Sequence, residues 1–491
     1  MTSIESVDVA AVGLIIAGAT VDPIGGRYIT TTQRLTGQDI ARVAAATADD
    51  AGRAASAAAA AAPAWAALPP AERRAVLNRA ADLLDERSAA ITATMGREMG
   101  AAAAWCGFNV MLGANMLREA AAQVYALVGQ VIPSNVPGLT ALAERRPLGV
   151  VVGIAPWNAP IILGVRAIAM PLALGNTVVL KASEETPATH AAIVQCLVDA
   201  GAPAGAVNLV TNAAEDAGEV VEALISHPAV RSVNFTGSTR VGRIVGEIAG
   251  RHLTRSVLEL GGKAPFIVLA DADLDEAAAA ASFGAFMNQG QICMSTERII
   301  VDRTVADEFA AKLAERARTL VVGDPADPAT QLGPLVHEAA VEHVDALVRD
   351  AVERGATVLT GGTSNGLFYP PTVLTGVTAD ARLYSEESFG PLAPIFVVDG
   401  VDEAVQLAND SEYGLSAAVF TTDVDLGLEV ARRIESGICH VNGATVHDEA
   451  QMPFGGVKAS GYGRFGSTAS VEEFTELRWL TVSSQHRHYP I

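Results

Sequence analysis

Short runs of β-branched and aliphatic residues alternate with longer helical stretches through the middle of the chain. Between Gly149 and Leu260 these runs are VVVGIA, NTVVLK, AVNLV, VRSVNFTG and SVLEL. Such alternation is typical of parallel βαβ units, because each strand of a parallel sheet needs a crossover helix before the next one. We therefore expect a doubly wound α/β sheet in this part of the chain.

A second alternating block follows Gly261. It begins with PFIVL, continues with a helix to about Gln291 and the run ERIIV, and later contains ATVLTGG, LAPIFVV, AAVF and ICHVN. The repeated strand and helix periods predict a second doubly wound α/β domain.

The segments that flank these blocks have other patterns. Apolar residues recur at helical spacing after Pro69 and Pro70, and more helix follows to about Val128; the recurring residues are Leu77, Ala80, Leu84, Ile91 and Met95. The alanine run 54–62 favours a helix that Pro63 interrupts. The stretch QVIPSNVPGLTALAERRPLG predicts an extended excursion, and EFTELRWLTVSS predicts a terminal strand that pairs with another element or another subunit.

Composition narrows the class of protein. The chain has 491 residues, a formal net charge of −21, 50% hydrophobic residues and four cysteines. The apolar content excludes a disordered chain, and four cysteines exclude a disulfide scaffold of this length. Nucleic acid and anionic membranes both need a basic surface, so neither is expected as the main partner.

No targeting segment is expected at the N-terminus. The sequence MTSIESVDVAAVGLIIAGATVDP has no basic region, and the apolar run from Val12 to Ala19 is too short to span a bilayer. We therefore expect a soluble cytoplasmic protein with reduced thiols.

Cys293 is the sharpest candidate for chemistry. It lies in NQGQICMSTERIIV, between a predicted helix end and a strand. A partly exposed thiolate there would have main-chain N–H groups nearby to stabilise an oxyanion. The alternative is a small buried residue, and this is our interpretation of Cys106, Cys196 and Cys439.

Two further polar residues follow predicted strands. Glu259 ends an apolar strand in LELGGK, where burial would raise its pKa and suit it to act as a general base. Asn158, in GIAPWN, can donate its side-chain amide to an oxyanion. The alternatives are a surface glutamate that enters a turn and an asparagine in a turn.

Two strand ends could bind a dinucleotide. VNFTGSTRVG is neither G-x-G-x-x-G nor a P-loop, but Gly237, Ser238 and Gly242 lie where a strand meets a helix, and such a junction can bind a pyrophosphate. In KASE, Lys181 and Glu184 can bind ribose hydroxyls, and the glutamate would repel a 2′-phosphate, which favours NAD over NADP. The alternative for this pair is an exposed ion pair. The nine histidines lack metal-site spacing, so no metal is expected.

The motifs taken together resemble the NAD(P)-dependent aldehyde dehydrogenase superfamily. They occur in one order over about residues 20–480: PWN at 156–158, KASE at 181–184, FTGS at 235–238, LELGGK at 258–263, GQIC at 290–293, EESFGP at 386–391 and PFGG at 453–456. The resemblance implies that Cys293 attacks the aldehyde, Asn158 stabilises the oxyanion, and Glu259 activates the water that hydrolyses a thioester. The cofactor is expected to be NAD, with NADP less favoured.

The resemblance also implies a cofactor site, a domain division and an assembly. The implied cofactor contacts are Ala155, Pro156, Trp157, Lys181, Ser183, Glu184, Phe235, Thr236, Gly237, Ser238, Val241, Gly242, Leu260, Gly261, Glu387 and Phe389. The implied division is an atypical Rossmann NAD-binding domain (1–127 and 149–259), a catalytic domain (260–469), and a β oligomerisation arm and tail (128–148 and 470–491). A homodimer or homotetramer is expected.

Longer strings are similar to the salicylaldehyde, vanillin and benzaldehyde dehydrogenases of bacterial aromatic catabolism. Ala159 and Arg166 stand where many aliphatic-aldehyde enzymes carry aromatic residues. A small Ala159 would leave room for a flat ring, and Arg166 would contact the ring face or a ring oxygen, unless it forms a salt bridge instead. Trp105 is either a wall of the substrate entrance or a core residue. The remaining expected substrate contacts are Ile292, Met294 and Phe454.

Three other functions stay open at this point. CoA-acylating members of the superfamily generally lack the glutamate of LELGGK, which is present here as Glu259. An aliphatic aldehyde or semialdehyde dehydrogenase is only weakly excluded. A non-catalytic structural or ligand-binding protein of the same fold would be free to lose Cys293, Glu259 or Asn158, and all three remain.

Overall fold

The computed structural model describes residues 10–486 and 489–491. Residues 1–9, which begin the predicted cofactor domain and the segment tested for targeting, lie outside the described residues, and so do residues 487–488 of the predicted tail. The described chain is α/β and has 15 α-helices and five sheets, which confirms the predicted fold class.

The helices are α1 (Ala48–Ala67), α2 (Pro70–Glu86), α3 (Ser88–Met99), α4 (Ala103–Ala122), α5 (Pro160–Ala173), α6 (Pro187–Asp199), α7 (Ala217–Ser226), α8 (Thr239–His252), α9 (Leu274–Phe286), α10 (Ala306–Thr319), α11 (Glu338–Glu353), α12 (Arg382–Ser385), α13 (Gly400–Asn409), α14 (Val424–Arg433) and α15 (Ala469–Glu473).

The strands are β1 (Ala10–Val12), β2 (Leu14–Ile16), β3 (Ala19–Val21), β4 (Tyr28–Thr32), β5 (Asp39–Ala44), β6 (Gln130–Ile132), β7 (Leu139–Pro147), β8 (Val150–Ile154), β9 (Thr177–Lys181), β10 (Val207–Val210), β11 (Val230–Thr236), β12 (Arg255–Glu259), β13 (Ala264–Val268), β14 (Thr296–Asp302), β15 (Thr357–Thr360), β16 (Thr372–Thr375), β17 (Leu392–Val398), β18 (Tyr413–Gly414), β19 (Ser416–Phe420), β20 (Ile438–Val441), β21 (Val457–Lys458), β22 (Gly461–Tyr462) and β23 (Thr475–Ser483).

The first large sheet has eight strands in the order β22-β12-β11-β8-β9-β10-β2-β3. Strands β8 to β12 run parallel and are almost completely buried because helices cover both faces. The strand order reverses between β8 and β11, and in open parallel sheets the crevice at such a reversal is where ligands bind. The antiparallel strand β22 comes from the stretch predicted for the catalytic domain.

The second large sheet has seven strands in the order β15-β16-β17-β14-β13-β19-β20, and all neighbours except β15 and β16 run parallel. The chain passes from Glu259, the last residue of β12, to Ala264, the first residue of β13. The carboxyl end of the first sheet therefore meets the amino end of the second sheet. Residues that follow strands of the first sheet can meet residues that precede strands of the second.

The predicted terminal strand forms as β23. Its partner is β7, which lies in the stretch QVIPSNVPGLTALAERRPLG that was predicted to be extended. Strand β23 pairs antiparallel with β7 along nine residues, and β6 covers the other edge of β7. Much of this small sheet faces solvent, including Trp479 at 76% exposure. Among the described residues, no helix is long and apolar enough to cross a membrane.

Four predicted helix boundaries differ from those in the structure. Helix α1 continues through Pro63, because the proline lies on the exposed side of the helix and buried Trp65 holds the last turn by a hydrogen bond to Leu172 O. The segment after Pro70 is two helices, α2 and α3, which meet at Arg87. Helical structure ends near residue 125 rather than 128. Helix α9 ends at Phe286 rather than about Gln291, because Asn288 and Gln289, in the loop that carries Cys293, have left-handed backbone angles.

Candidate active site

A cavity of about 620 Å³ lies where the two large sheets meet. It is lined by the three predicted catalytic residues, Asn158, Glu259 and Cys293. Eight of the predicted cofactor residues also line it, and these are Pro156, Trp157, Thr236, Gly237, Ser238, Gly261, Glu387 and Phe389. The structure therefore brings the motifs of both sheets to one cleft.

Cys293 lies in the loop between α9 and β14, and the backbone of this loop is unusual. Asn288 and Gln289 have positive φ angles of 49° and 57°, and Gly290 follows at 70°. A Cβ atom on Gly290 would lie 2.1 Å from the carbonyl oxygen of Gly390, so only glycine fits. Likewise, a Cβ atom on Gly262 would lie 2.2 Å from Cys293 O, so this glycine lets the nucleophile loop approach β12.

The Cys293 residue is half-buried. Burial, together with the negative charges of Glu259 and Glu387, raises the pKa of its thiol well above the usual value. The free thiol is therefore protonated at neutral pH, and its activation needs a neighbouring base.

Glu259 is 1% exposed at the end of β12. Neither carboxylate oxygen makes a hydrogen bond of normal geometry with a described residue, although the Cys293 thiol lies close enough to interact with the carboxylate. Burial raises the pKa of Glu259 to about 7. The positive charge of Arg166 and hydrogen bonding by the Cys293 thiol both lower the pKa, but burial outweighs them. A carboxylate with this pKa can both accept and release a proton near neutrality.

Asn158 follows β8 and is 5% exposed. Its side-chain Nδ2 donates to Gln291 O, in the nucleophile loop, at 2.9 Å. The carbonyl oxygen of Asn158 accepts from Trp105 Nε1 at 2.9 Å and from Asn288 Nδ2 at 3.2 Å. The amide has two protons, so one remains available for a substrate oxyanion beside Cys293.

A buried ion pair lies next to the segment that carries the cavity residue Glu387. Lys263 Nζ lies 2.7 Å from Glu297 Oε2, and both side chains are almost fully buried. Glu297 accepts hydrogen bonds from the main-chain N–H groups of Ser388 and Phe389, which fixes the segment that carries Glu387. Glu297 was not among the predicted site residues, although the charged pair Glu297 and Arg298 stands directly before the apolar run Ile299–Val301 of β14.

The Glu387 carboxylate accepts a hydrogen bond from the main-chain N–H of Gly262 at 2.9 Å. Burial raises its pKa to about 8, although this hydrogen bond opposes the shift. Its neighbour Phe389 packs edge-on against Trp157, with ring centroids 5.8 Å apart. A carboxylate and two aromatic rings thus line one end of the cavity.

The residues present fit a dinucleotide cofactor. Helix α8 begins at Thr239, directly beside the cavity residues Gly237 and Ser238, so the uncapped main-chain N–H groups of its first turn would face an anion bound there. Arg240 adds a positive charge, and Glu387 offers a carboxylate for a ribose hydroxyl. These are the groups that a pyrophosphate and a ribose need.

Lys181 and Glu184 form an ion pair at the end of β9, and Asn212 Nδ2 donates to Glu184 at 2.8 Å. Burial raises the pKa of Glu184, but the Lys181 charge and these hydrogen bonds outweigh it and hold the pKa below its usual value. An exposed ion pair was the alternative to ribose binding for Lys181 and Glu184. The ion pair forms, but Lys181 is buried rather than exposed. Eight predicted cofactor contacts do not line the cavity that contains Cys293. They are Lys181, Glu184, Ala155, Ser183, Phe235, Val241, Gly242 and Leu260.

None of the predicted substrate residues lines this cavity. Five of them share one hydrophobic cluster with Cys293 at its edge, and they are Trp105, Ala159, Ile292, Met294 and Phe454. Arg166 is 7% exposed, pairs with buried Asp448, and stacks its guanidinium 4.0 Å from the centre of the Phe454 ring. The salt-bridge alternative for Arg166 is thus the observed one, and the pair lies inside the protein rather than on a helix flank.

Several cavity residues were not among the predicted site residues. They are Leu163, Arg240, Gln291, Val336, His337, Ala339, Ala340, His343 and Ser388. Gln291 lies within the quoted GQIC string, so its position next to Cys293 was a usable signal. Within residues 10–486 and 489–491, no group of three or more His, Cys, Asp or Glu side chains could hold a metal ion.

Comparison with known proteins agrees with this geometry. The model of the aldehyde dehydrogenase family matches residues 21–480. The chain belongs to the aldehyde dehydrogenase family. It is therefore an aldehyde dehydrogenase, and enzymes of this family use nicotinamide cofactors.

Individual relatives cover almost the whole chain. A vanillin dehydrogenase from Pseudomonas sp. strain HR199 is 59% identical over 98% of this chain and 99% of its own. A benzaldehyde dehydrogenase [NAD(+)] from Pseudomonas putida is 41% identical over 96% of this chain and 94% of its own. The crystal structure of a salicylaldehyde dehydrogenase from Pseudomonas putida G7, complexed with salicylaldehyde, has a TM-score of 0.96 and 44% identity over 98% of this chain and 100% of that chain.

Proposed function

We propose that this enzyme oxidises aromatic aldehydes of the vanillin, salicylaldehyde or benzaldehyde type to carboxylic acids, with NAD as the cofactor. One observation carries the chemistry: a thiol, a carboxylate with a pKa of about 7 and an amide donor line one cavity, as Cys293, Glu259 and Asn158. The names of the similar enzymes support the aromatic substrate.

The reaction begins at Cys293. Glu259 accepts the thiol proton, and the sulfur adds to the aldehyde carbon to form a thiohemiacetal. The Asn158 amide and the main-chain N–H of Cys293 donate hydrogen bonds to the developing oxyanion. These donors are fixed before the reaction, so little reorganisation is needed when the charge forms.

Oxidation then yields a thioester on Cys293. A nicotinamide held beside Glu387 and Phe389 would supply the hydride acceptor for this step. Glu259 releases the first proton to solvent and then takes a proton from water, whose oxygen attacks the thioester carbon. The acid is released, and the departing Cys293 thiolate takes this proton back from Glu259. Glu387 is proposed to bind the nicotinamide ribose, Phe389 to pack near the nicotinamide, and Gly237 and Ser238 to bind the pyrophosphate.

The cofactor preference is proposed to depend on Glu184. Because its pKa is held low, the carboxylate is negative at neutral pH and would repel the 2′-phosphate of NADP. Replacing Glu184 with Gln is expected to lower the ratio of kcat/KM for NAD to that for NADP by about tenfold, or about 1.4 kcal/mol.

The matched control for this prediction is Glu185→Gln. It removes the same charge from the adjacent residue, which pairs with Arg34. Steady-state kinetics with both cofactors should show the change in Glu184→Gln alone. An equal change in both variants would mean that net charge, rather than contact with the ribose, sets the preference.

A second prediction concerns space for the substrate ring. Ala159 is buried at the N-terminus of α5, within the cluster that contains Ile292, Met294 and Phe454. Replacing it with Phe is expected to lower kcat/KM for benzaldehyde by about tenfold or more, because the added ring overfills the space that a flat substrate needs. Hexanal, whose chain is narrow and flexible, should lose less, and an unchanged kcat/KM for benzaldehydes would contradict the proposal.

The direct test of the function is a panel of aldehydes followed by NADH absorbance. Benzaldehyde, salicylaldehyde and vanillin are expected to exceed hexanal and succinic semialdehyde by about tenfold or more in kcat/KM. If hexanal or the semialdehyde is the better substrate, the aromatic assignment is wrong although the family remains.

The predicted domains and assembly are also proposals. The sheets support a cofactor domain at 1–127 and 149–259, a catalytic domain at 260–469, and an arm and tail at 128–148 and 470–491. Exposed apolar residues on both faces of the sheet formed by β6, β7 and β23 support a homodimer or homotetramer formed through this sheet. Val131 and Val482 lie on one face, and Leu477 and Trp479 lie on the other.

A further inference from the structure

The main-chain carbonyl of Asn158 is held by two side chains from distant parts of the sequence. Trp105 Nε1 donates to it at 2.9 Å and Asn288 Nδ2 at 3.2 Å. Asn158 lies between the end of β8 and the start of α5, outside the hydrogen bonding of both elements. Among the described residues, no main-chain N–H donates to this oxygen. The orientation of this peptide group therefore depends on the two side chains.

The orientation of the peptide group also determines where the Asn158 amide points. Its Nδ2 donates to Gln291 O, and Asn288 Nδ2 approaches the same oxygen at 3.4 Å. The oxyanion-binding loop and the nucleophile loop are thus connected by one small hydrogen-bond network. A shift of the Asn158 peptide would move the amide relative to Cys293.

Trp105 is a rigid donor in this network. It lies in the first turn of α4, is 4% exposed, and stacks on Phe108 with ring centroids 5.7 Å apart. Helix α4 packs closely against α5, the helix that Asn158 precedes. The indole N–H is therefore fixed from outside both catalytic loops, whereas Asn288 belongs to the nucleophile loop itself.

We propose that Trp105 is a positioning residue for the reaction: its indole N–H fixes the Asn158 peptide, and so aims the Asn158 amide at the oxyanion on the Cys293 adduct. This inference rests on the proposed function, because it assigns a role within that mechanism. This positioning role differs from that of a residue in the wall of the substrate pocket, because it acts on the oxyanion and not on the side chain of the aldehyde. A wall selects among aldehydes, whereas an aimed amide stabilises the oxyanion of every aldehyde.

The chain contains a matched control. Trp65 is also fully buried, and its Nε1 donates to a main-chain carbonyl, Leu172 O, at 3.1 Å near the far end of the same helix α5. Trp105→Phe and Trp65→Phe each remove one buried indole donor, but only Trp105 bonds to Asn158. Both variants should be compared with the wild type in thermal stability before kinetics are interpreted.

The experiment measures kcat and KM for benzaldehyde and for hexanal, and cofactor-free hydrolysis of p-nitrophenyl acetate. Trp105→Phe is expected to lower kcat for both aldehydes, and the rate of ester hydrolysis, by about tenfold, with KM values within about twofold. Trp65→Phe is expected to change these rates by less than about twofold. In an Asn158→Ala background, Trp105→Phe should cause almost no further loss, because the two residues act as one unit.

Three results would overturn the proposal. They are an effect of Trp105→Phe on KM that differs between the two aldehydes, an equal kcat loss in Trp65→Phe, and an undiminished loss in the Asn158→Ala background. If Trp105→Phe fails to fold, benzothienylalanine at position 105 keeps the ring shape and removes only the N–H donor, and the same outcomes apply. Failure of the aromatic assignment would appear separately, as wild-type preference for hexanal, and the ester assay tests Trp105 in either case.

Discussion

Replacing Cys293 with Ser is expected to lower kcat for aldehyde oxidation by at least about 1,000-fold. The structure explains why the loss should be so large. The side chain at position 293 must give its proton to Glu259, whose pKa is about 7. A serine hydroxyl is far less acidic than a thiol, so the same base cannot produce a useful amount of alkoxide.

Cys439→Ser is the matched control for this variant. Cys439 is a half-buried thiol in β20 and lies outside the cavity. NADH formation with a saturating aromatic aldehyde should remain near the wild-type rate in this control. If Cys293→Ser retained more than about a tenth of the activity, or Cys439→Ser lost most of it, Cys293 would not be the nucleophile.

Replacing Glu259 with Gln is expected to change the time course as well as the rate. Removing the negative charge of Glu259 lowers the pKa of the Cys293 thiol, so hydroxide can take its proton and slow acylation still forms one NADH per subunit. Steady turnover then falls by about 100-fold or more because no base activates water. The wild-type rate should rise as pH increases through about 7, since the ionised carboxylate is the active form and burial has raised its pKa to that value. The variant should lose this rise.

Glu98→Gln provides a control for the loss of a buried carboxyl group. Burial also raises the pKa of Glu98 to about 7, but this residue accepts hydrogen bonds at the start of α6, away from the catalytic cavity. Stopped-flow NADH traces of Glu98→Gln should keep the wild-type pH dependence of turnover. A pH profile that shifts in Glu98→Gln, or that persists in Glu259→Gln, would show that Glu259 is not the base.

Much of the fold could be predicted because local patterns were strong. The buried parallel strands β8 to β14 contain short runs rich in β-branched and aliphatic residues, and such runs can be recognised without knowledge of distant contacts. The helix break predicted at Pro63 is absent because the cost of a proline in a helix depends on whether it lies on the side that faces solvent. That orientation is set by the packing of Trp65 against α5, which is a tertiary contact.

The candidate site could be predicted in part for a similar reason. Glu259 and Asn158 follow strands directly, so the topology of the sheet brings them to one edge. Other features depend on pairs that are far apart in sequence, and no local pattern reveals them. Examples are the hydrogen bond from Trp105 to Asn158, the Lys263–Glu297 ion pair, and the pairing of Arg166 with Asp448, which lies 282 residues away.

The most direct test of this account is to identify the acyl group that accumulates on the enzyme. Glu259→Gln is mixed with NAD and equal concentrations of vanillin and hexanal, quenched in acid, and analysed by intact-protein and peptide mass spectrometry. The account predicts an added mass equal to vanillin minus two hydrogens, located on the peptide that contains Cys293. A hexanoyl adduct in excess, or an adduct at another residue, would contradict it.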